Sequence, residues 1–370
     1  MLIFQTFLLY SSYKINESEF NGQEFFLGID VHKKSWTVTI LNEQHEHKTM
    51  TQPPQPQSLI NYLAKHLPGG RYHAVYEAGF SGFGACRELK AAGVNCMVVN
   101  PADVPTNGKE KLQKTDSVDS KKLARSLRAK ELIAINIPSP SLEADRALLR
   151  QRFTFVKNIS RTKHQIKSLL MQFGIEIPAE FSVGDSRVLS KKYLIWIRSV
   201  EISETNVRQC LDNYLDLLDL QKKQLLLIEK QILELSKQQQ YAHNMELLRK
   251  IPGIGFNTAI YFLIQIGDIK RFKTQDELCS YIGLIPSMHE SGEKSSTGHL
   301  INRGRREIKI MLIEASWDAV RLDPAMMVCF NELSKKMPKN KAIIRIARKL
   351  VNRMRYVLNN QASYEIGVVK

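Results

Sequence analysis

The feature that most constrains the fold of this chain is the alternation of strand-like and helix-like segments between residues 25 and 133. The run FFLGIDV at 25–31 has the composition of a buried strand, and SWTVTIL at 35–41 has alternating polarity. Strands and helices that alternate in this way form an α/β domain with a mixed sheet. The further predicted strands are 45–51, 72–78 and 94–100, and the predicted helices are 58–67 and 82–93.

The rest of the chain is predicted to be mainly helical, which makes the fold class α/β plus α. Residues 203–250 form one long helical pattern with a seam at alternating three- and four-residue steps. Such a seam is typical of a dimerising coiled coil, and a helix hairpin packed within the chain explains it equally well. The seam consists of Leu211, Tyr214, Leu218, Gln221, Leu225, Ile228, Ile232 and Leu235.

A short glycine-rich turn, IPGIG at 251–255, interrupts this helical pattern. Helices on both sides of such a turn form a helix–hairpin–helix pattern, in which the backbone at Gly253 and Gly255 would hold a DNA phosphate. A plain turn between two packed helices is the alternative. Near the C-terminus, KNKAIIRIARKLVNRMR predicts a helix with one apolar and one basic face, which would hold nucleic-acid backbone or simply face solvent.

The charge of the chain points to a polyanionic partner. Its 53 Lys and Arg residues exceed its 37 Asp and Glu residues, for a net charge of +16. Such an excess favours nucleic acid or an anionic membrane surface, and a merely basic soluble protein is the alternative. No apolar run reaches the roughly 18 residues that span a bilayer, and the N-terminal segment lacks the basic start of a signal peptide. We therefore expect a cytoplasmic protein that does not enter a membrane.

Four carboxylates stand where a catalytic site is expected. Asp30 and Glu77 end two predicted strands, and the ends of neighbouring strands meet at one mouth of a sheet. Asp116 and Asp119 share a face at a predicted helix start, so they repel each other unless a cation lies between them. Singly, each acid has a structural explanation, such as a helix cap for Asp116 or an ion pair with Lys121 or Lys122 for Asp119. Together they suit two hard divalent cations such as Mg²⁺, which prefer oxygen ligands.

Three segments carry a resemblance to a known family: FLGIDVHKKSWTV, VYEAGFSGFG and KTDSVDSKKLAR. They resemble the DEDD insertion-sequence transposases, the Piv/MooV-like relatives of the Piv DNA invertase. The segments VVNPADV, IPGIGFNTA, RFKTQDELCSYIGLIP and ESG also match family patterns, so the resemblance covers roughly residues 25 to 360. One departure is Ser120, where the family usually has alanine.

The resemblance implies an N-terminal RNase H-like (RuvC-like) domain, in which the four acids bind Mg²⁺, as two ions, or Mn²⁺. It also implies a C-terminal transposase domain whose ESG element supplies a nucleophilic serine, and Ser291 is the matching residue. The implied partners are donor DNA, target DNA and a structured noncoding guide RNA, with homodimers that assemble into tetramers. The implied location is the bacterial cytoplasm, with nucleoid association when the protein is bound to DNA.

Ser291 lies in a polar segment, 287–306, that is predicted to be a loop. The segment holds several hydroxyls, and spacing alone does not choose among them. Arg303, Arg305 and Arg306 close the segment, where they would stabilise charge on a transferring phosphate or hold nucleic-acid backbone. A flexible basic loop is the alternative for each arginine.

The predicted organisation and function follow from these motifs. The predicted divisions are an N-terminal extension (1–24), the DEDD catalytic domain (25–140), a helical linker or coiled coil (141–245), the serine-bearing transposase domain (246–360) and a tail (361–370). The leading hypothesis is a transposase or site-specific recombinase. The alternatives are a metal-dependent endonuclease of the Holliday-junction-resolvase kind, and a nucleic-acid-binding protein without catalytic activity.

Overall fold

The computed structural model describes residues 20–108, 115–182, 190–291, 294–301 and 304–367. Most of the predicted N-terminal extension and Arg303 therefore lie outside the described residues. The chain divides into two compact units, Met1–Ile137 and Pro138–Lys370. Each unit has its own core.

A five-stranded mixed sheet forms the frame of the N-terminal unit. Its strands are β1 (Glu24–Val31), β2 (Trp36–Leu41), β3 (Glu46–Gln52), β4 (Arg71–Glu77) and β5 (Asn95–Val99). They lie in the order β3-β2-β1-β4-β5. β1 pairs antiparallel with β2 and parallel with β4, so the central strand joins the two halves of the sheet. The predicted mixed α/β sheet is confirmed, and the RuvC-like assignment stays a prediction.

Helices cover both faces of this sheet. They are α1 (Pro56–His66), α2 (Gly84–Ala91) and α3 (Asp116–Arg128). Because side chains alternate along a strand, Phe25, Leu27 and Ile29 of β1 pack into the core with α1 and α2. The intervening residues Phe26 and Gly28 contact α3 on the other face. Asp30 belongs to this second set, which directs it toward the α3 side of the sheet.

The C-terminal unit is largely helical, as predicted. Its helices are α4 (Pro140–Gln172), α5 (Ala179–Ser182), α6 (Lys191–Ser199), α7 (Thr205–Ser236), α8 (Gln239–Arg249), α9 (Phe256–Ile266), α10 (Gln275–Ile282), α11 (Arg306–Leu322), α12 (Pro324–Lys336) and α13 (Lys339–Asn360). One antiparallel hairpin, β6 (Pro286–Ser291) and β7 (Lys294–Leu300), interrupts them.

The long seam predicted at 211–235 packs inside the chain. α7 lies against α4, and the two helices share a buried core around Leu211, Leu215 and Leu218. The seam residue Gln221 accepts a hydrogen bond from Thr162 of α4 at 3.1 Å. The helix-hairpin interpretation therefore explains the seam, and the apolar period follows the α-helix rather than a strict heptad, since Leu215 is buried and Tyr214 only partly so.

The prediction of a single helix over 203–250 is wrong in one respect. The helix that contains the seam ends at Ser236, and a new helix begins at Gln239. The residues from Ser236 to Gln240 are all polar, so they do not extend the apolar face of the helix. The backbone amides of Lys237 and Gln238 donate to the carbonyls of Glu234 and Leu235 and close the last turn. The break lets α8 turn away and join the second core of the unit.

That second core is built from α8 to α13 together with the ends of α4 and α7. α13 contributes the apolar face that the sequence predicts, because Ile343, Ile346, Leu350 and Met354 are all buried. Two arginines of the same helix are tied to neighbours. Arg348 pairs with Asp276, and the guanidinium of Arg355 donates to the carbonyls of Phe272 and Lys273.

Candidate active site

The first two acids are brought together by the register of the sheet. Ile29 of β1 lies beside Tyr76 of β4 in the parallel pair. The next residue on each strand is Asp30 and Glu77, so both carboxylates stand at the same edge of the sheet. Their side chains are 21% and 33% exposed, which leaves them accessible to a ligand.

The other two acids lie in the first turn of α3. The side chain of Thr115 caps this helix by accepting a hydrogen bond from the Val118 amide at 3.3 Å. Asp116 and Asp119 follow directly, where the positive end of the helix dipole favours negative charge. Capping and dipole thus explain why a helix can begin with two acids, and the packing of α3 decides where those acids point.

Gly28 sets the distance between α3 and the sheet. A Cβ on Gly28 would lie 2.1 Å from the carbonyl oxygen of Ser120 and 2.4 Å from the amide nitrogen of Ala124. The helix backbone therefore rests directly on β1. The buried Ser120 hydroxyl lies 2.8 Å from the hydroxyl of Thr39 on β2, which adds a hydrogen bond between helix and sheet. The departure from the usual alanine at this position is thus accommodated.

His32 links the acids of the strand and the helix. Its Nε2 lies 3.1 Å from Asp30 Oδ2 and 3.3 Å from Asp116 Oδ1. Ligand atoms of these three residues all lie within 4.8 Å of one another. Burial raises the pKa of the Asp30 carboxyl, and the carboxylates of Asp116 and Asp119 raise it further against the opposing effect of His32.

Lys122 links the other two acids. Its ammonium donates to Asp119 Oδ1 at 3.1 Å and lies 3.6 Å from Glu77 Oε1. The lysine side chain is only 10% exposed, although lysine is rarely buried without a partner. The structure therefore joins all four predicted acids in one cluster, through His32 on one side and Lys122 on the other.

These residues fit a hard divalent cation. Carboxylate oxygens are the ligands that Mg²⁺ and Mn²⁺ prefer, and imidazole nitrogen suits Mn²⁺ as well. A cation among Asp30, His32 and Asp116 would favour the charged carboxylate of Asp30, against the burial and the neighbouring carboxylates that raise its pKa. The predicted metal-binding residues are thus chemically suitable, and the identity and number of ions stay predictions.

Sequence reasoning missed His32, and it offered Lys122 only as an ion-pair partner of Asp119. His32 follows the first acid by two residues, and Lys122 follows the last by three. The i to i+3 spacing of Asp119 and Lys122 was a visible signal for an ion pair, but its second contact, with Glu77, depends on how α3 packs on the sheet. The role of His32 depends in the same way on the position of Asp116.

The predicted nucleophile lies in the C-terminal unit. The segment around Ser291 was predicted to be a loop, and this is wrong for its described part, because β6 and β7 form a hairpin in which Ser291 is paired with Lys294. The polar residues of this segment give no apolar alternation, so the sequence carries no strand signal. The backbone thus places Ser291 at the turn end of an antiparallel hairpin.

The base of this hairpin is tightly packed. Gly304 has a φ of +103°, and a Cβ there would lie 2.7 Å from the backbone of Ile282 and Gly283. Arg305 donates from its amide to the Ile282 carbonyl, and its guanidinium donates to the Tyr281 hydroxyl at 3.1 and 3.2 Å. Arg305 therefore fastens the hairpin to α10. Arg306 is exposed at the start of α11.

The IPGIG turn joins α8 and α9, where a turn between two helices was predicted. Gly253 has a φ of +89°, and a Cβ there would lie 2.4 Å from the Ala315 carbonyl oxygen, so close packing on α11 requires glycine. Gly255 is exposed, and nothing lies within 4 Å of a Cβ built on it. The helix–hairpin–helix role of both glycines stays a prediction.

Two protein families match this chain. The family described as "Transposase IS116/IS110/IS902 family" matches residues 245–329, and the DEDD transposase family of IS110 matches residues 27–175. The second match contains all four clustered acids, and the first contains the serine hairpin. Residues 27–175 are therefore similar to IS110 transposases, and residues 245–329 are similar to transposases of the IS116/IS110/IS902 family.

Curated relatives of this chain are named as transposases or as a gene-inverting protein. The putative transposase y4qE of Sinorhizobium fredii is 26% identical over 299 residues, which are 80% of this chain and 72% of that protein. The transposase for insertion sequence element IS1533 of Leptospira borgpetersenii is 25% identical over 254 residues, 67% of this chain and 71% of that protein. The pilin gene-inverting protein of Moraxella bovis is 35% identical over 118 residues, 30% of this chain and 35% of that protein.

Among the residues that the structure describes, none of the helices is both long and apolar enough to cross a bilayer.

Proposed function

We propose that this chain is the transposase of an insertion sequence, which cuts and rejoins DNA through Ser291 and a metal-bound DEDD site. The observation that carries the proposal is the convergence of Asp30, Glu77, Asp116 and Asp119 at one edge of the sheet. Relatives named as transposases, and one named as a gene-inverting protein, support the same reaction class.

In this proposal the four acids hold divalent metal, Mg²⁺ or Mn²⁺, against the DNA phosphate. When bound, such an ion neutralises phosphate charge and stabilises attacking and leaving oxygens. Asp30 and Asp116 supply carboxylates from the strand and the helix, and His32 between them orients both. The RNase H-like (RuvC-like) assignment of this unit belongs to the same proposal.

The proposed covalent step uses the hydroxyl of Ser291. Its oxygen attacks phosphorus, the new Oγ–P bond replaces one P–O bond of the DNA backbone, and the serine proton passes to a base. The released oxygen takes up a proton and leaves as a free hydroxyl end. Rejoining reverses the step, because a hydroxyl of another DNA end attacks the phosphoserine and frees Ser291. The number of phosphoester bonds is conserved, so no external energy source is needed.

The partners in this proposal are donor DNA, target DNA and a structured noncoding guide RNA. The net charge of +16 suits polyanions of this kind. Arg303 and Arg306, which follow the serine hairpin in the sequence, would contact backbone phosphates. A homodimer that assembles into a tetramer would bring acids and serines from several subunits to the DNA. The protein would work in the bacterial cytoplasm, on the nucleoid when bound to DNA.

The experiment is a gel assay with purified protein, element RNA and end-labelled donor DNA in Mg²⁺. Wild type and Ser291→Ala are quenched in denaturant and run with and without protease. We expect a shifted band in wild type that protease removes and that Ser291→Ala lacks. Ser296→Ala, which changes a hydroxyl on the opposite strand of the hairpin, serves as the matched control and should keep the band.

A second candidate function is a metal-dependent endonuclease of the Holliday-junction-resolvase kind. The observation that favours it is that all four acids lie within the N-terminal unit. In that case water would be the nucleophile. Free cleaved ends that persist in Ser291→Ala, without any protease-sensitive band, would establish the endonuclease and overturn the recombinase.

A further inference from the structure

The four acids of the site are not equivalent, because their two linking residues differ in charge and exposure. On one side His32 stands between Asp30 and Asp116, and its side chain is 50% exposed. On the other side Lys122 stands between Glu77 and Asp119 and is almost buried. An imidazole can be neutral and can bind a metal, whereas a lysine ammonium has three donors and no acceptor.

The ammonium of Lys122 occupies the position that a metal ion would take between Glu77 and Asp119. It contacts one carboxylate oxygen of each, at 3.6 and 3.1 Å. The positive ammonium would repel a second metal ion placed beside it. The repulsion would be strong because the site is partly buried and water screens charges there only weakly. Metal and lysine therefore compete for the same two carboxylates.

Lys122 has little reason to withdraw from this position. Its side chain also borders a cavity of about 730 Å³, which Glu43, Glu131, Arg125 and Arg128 line as well. These two acids and two arginines carry no net charge, so a move into the cavity would leave the carboxylates of Glu77 and Asp119 without their partner and gain no net attraction. The ammonium is thus held at the acids by its attraction to Glu77 and Asp119.

We infer that Lys122 takes the place of a second metal ion, so that the site binds one divalent ion tightly, at Asp30, His32 and Asp116. This inference rests on the proposed metal-dependent function. Lys122 then offsets one of the two negative charges of Glu77 and Asp119. His32 supplies a nitrogen ligand beside the two carboxylates.

The test is a titration of the full chain with Mn²⁺ alone, without nucleic acid, in which electron paramagnetic resonance counts the free ion. We expect wild type to bind one ion per chain tightly, with any second ion at least about tenfold weaker because of repulsion by the lysine. Lys122→Met removes the ammonium and keeps most of the side-chain volume. It should bind a second ion at least about tenfold more tightly than wild type does.

Three further variants make the test specific. Lys121→Met is the matched control, since Lys121 pairs with Glu46 away from the cluster, and it should bind one ion like wild type. Lys122→Arg keeps the charge and should also bind one ion. His32→Gln should weaken the tight ion. Circular dichroism at each titration end point verifies that the variants are folded.

Two equally tight ions in wild type would overturn the inference without any variant, and so would a folded Lys122→Met that binds one ion as wild type does. Either result leaves the proposed metal-dependent function intact. Absence of tight Mn²⁺ in wild type, Lys122→Met and Lys121→Met alike would overturn the metal site itself, and with it the proposed function.

Discussion

At the scale of single residues, Gly28 decides whether the acids can meet. The backbone of α3 lies where a side chain at this position would be, and the carbonyl of Ser120 is the nearest atom. Any added carbon pushes the helix away from β1, and with it Asp116 and Asp119. The glycine of the GID motif thus positions carboxylates that lie about ninety residues further along the chain.

Gly28→Ala should therefore destabilise the protein and impair the site. Overpacking of this kind costs about 1–3 kcal/mol, and here the obstacle is backbone, which cannot rotate away. Urea unfolding measures the loss in free energy, and Mn²⁺ titration measures the loss of metal affinity.

Gly84→Ala is the control for this prediction. Gly84 is exposed at the start of α2, and nothing lies within 4 Å of an added Cβ. Alanine there should leave the free energy of unfolding unchanged or raise it by about 0.5 kcal/mol. Equal stability of the two variants would contradict the packing described for Gly28.

Much of the site could be predicted residue by residue from the sequence. Asp30 and Glu77 follow apolar strands, and Asp116 and Asp119 open a capped helix, so local patterns were enough to select them. His32 could not be selected, and Lys122 was offered only as a partner of Asp119, because the contacts of His32 with Asp116 and of Lys122 with Glu77 join distant segments. Local spacing predicts neighbours on one element, and only the packing of α3 on β1 determines which carboxylates share a cation.

At the scale of elements, Asp323 shows how helices of the C-terminal unit are joined. Its fully buried carboxylate accepts hydrogen bonds from the amides of Ala325 and Met326 at the start of α12. It also accepts from Arg353 of α13 and from the Tyr364 hydroxyl, both at 2.6 Å. One side chain thus caps a helix and anchors two later segments.

Acid should weaken this junction. Burial alone would raise the pKa of Asp323, but the hydrogen bonds from Tyr364 and Met326 and the charge of Arg353 hold it below the ordinary value of 3.8. Since the folded-state pKa is the lower one, the carboxylate stabilises the fold above pH 3.8 and loses this effect as the pH falls through the folded-state pKa.

Asp323→Asn should accordingly lose about 3 kcal/mol at pH 7, because it leaves Arg353 without its buried partner. The difference from wild type should shrink as the pH is lowered through this acidic range. Urea titrations from pH 7 to pH 3 measure it. Asp318→Asn, which breaks an exposed pair with Arg321, is the control and should change stability by less than about 1 kcal/mol. A pH-independent difference for Asp323→Asn would contradict the assigned role of the carboxylate.

Elements differed in how well their sequences predicted them. The strands of the N-terminal sheet were predictable because apolar runs and turns mark their ends. The hairpin of β6 and β7 was not, since its described residues are polar and its base is set by the contact of Gly304 with Ile282 and Gly283. The helix break between Ser236 and Gln239 was hidden by good helix formers on both sides, and tertiary packing decides its position.

At the scale of the whole molecule, excess positive charge should make DNA binding strongly salt-dependent. On α13 some basic residues are used for internal contacts, as Arg353 and Arg355 are. Lys341, Arg345 and Lys349 instead form an exposed row at helical spacing. Phosphate contacts by such a row release counterions from DNA.

Arg345→Gln should weaken binding to double-stranded DNA of any sequence. If Arg345 contacts one phosphate, the slope of log affinity against log salt should become shallower by about 0.9. Fluorescence anisotropy from 50 to 200 mM salt gives this slope. Arg321→Gln, an exposed arginine paired with Asp318, is the matched control and should keep the wild-type slope. An unchanged slope for Arg345→Gln would contradict a contact between this row of basic residues and the DNA phosphates.

The central claim is that the acids of the N-terminal unit and the serine of the C-terminal unit serve one reaction. The most direct measurement is the yield of covalent protein–DNA complex formed with element RNA, donor DNA and Mg²⁺ by wild type, Ser291→Ala and Asp30→Asn. Our account predicts that wild type forms the complex and that each variant lowers its yield by a factor of at least about 100. Wild-type yield in Asp30→Asn, with loss confined to Ser291→Ala, would contradict the account.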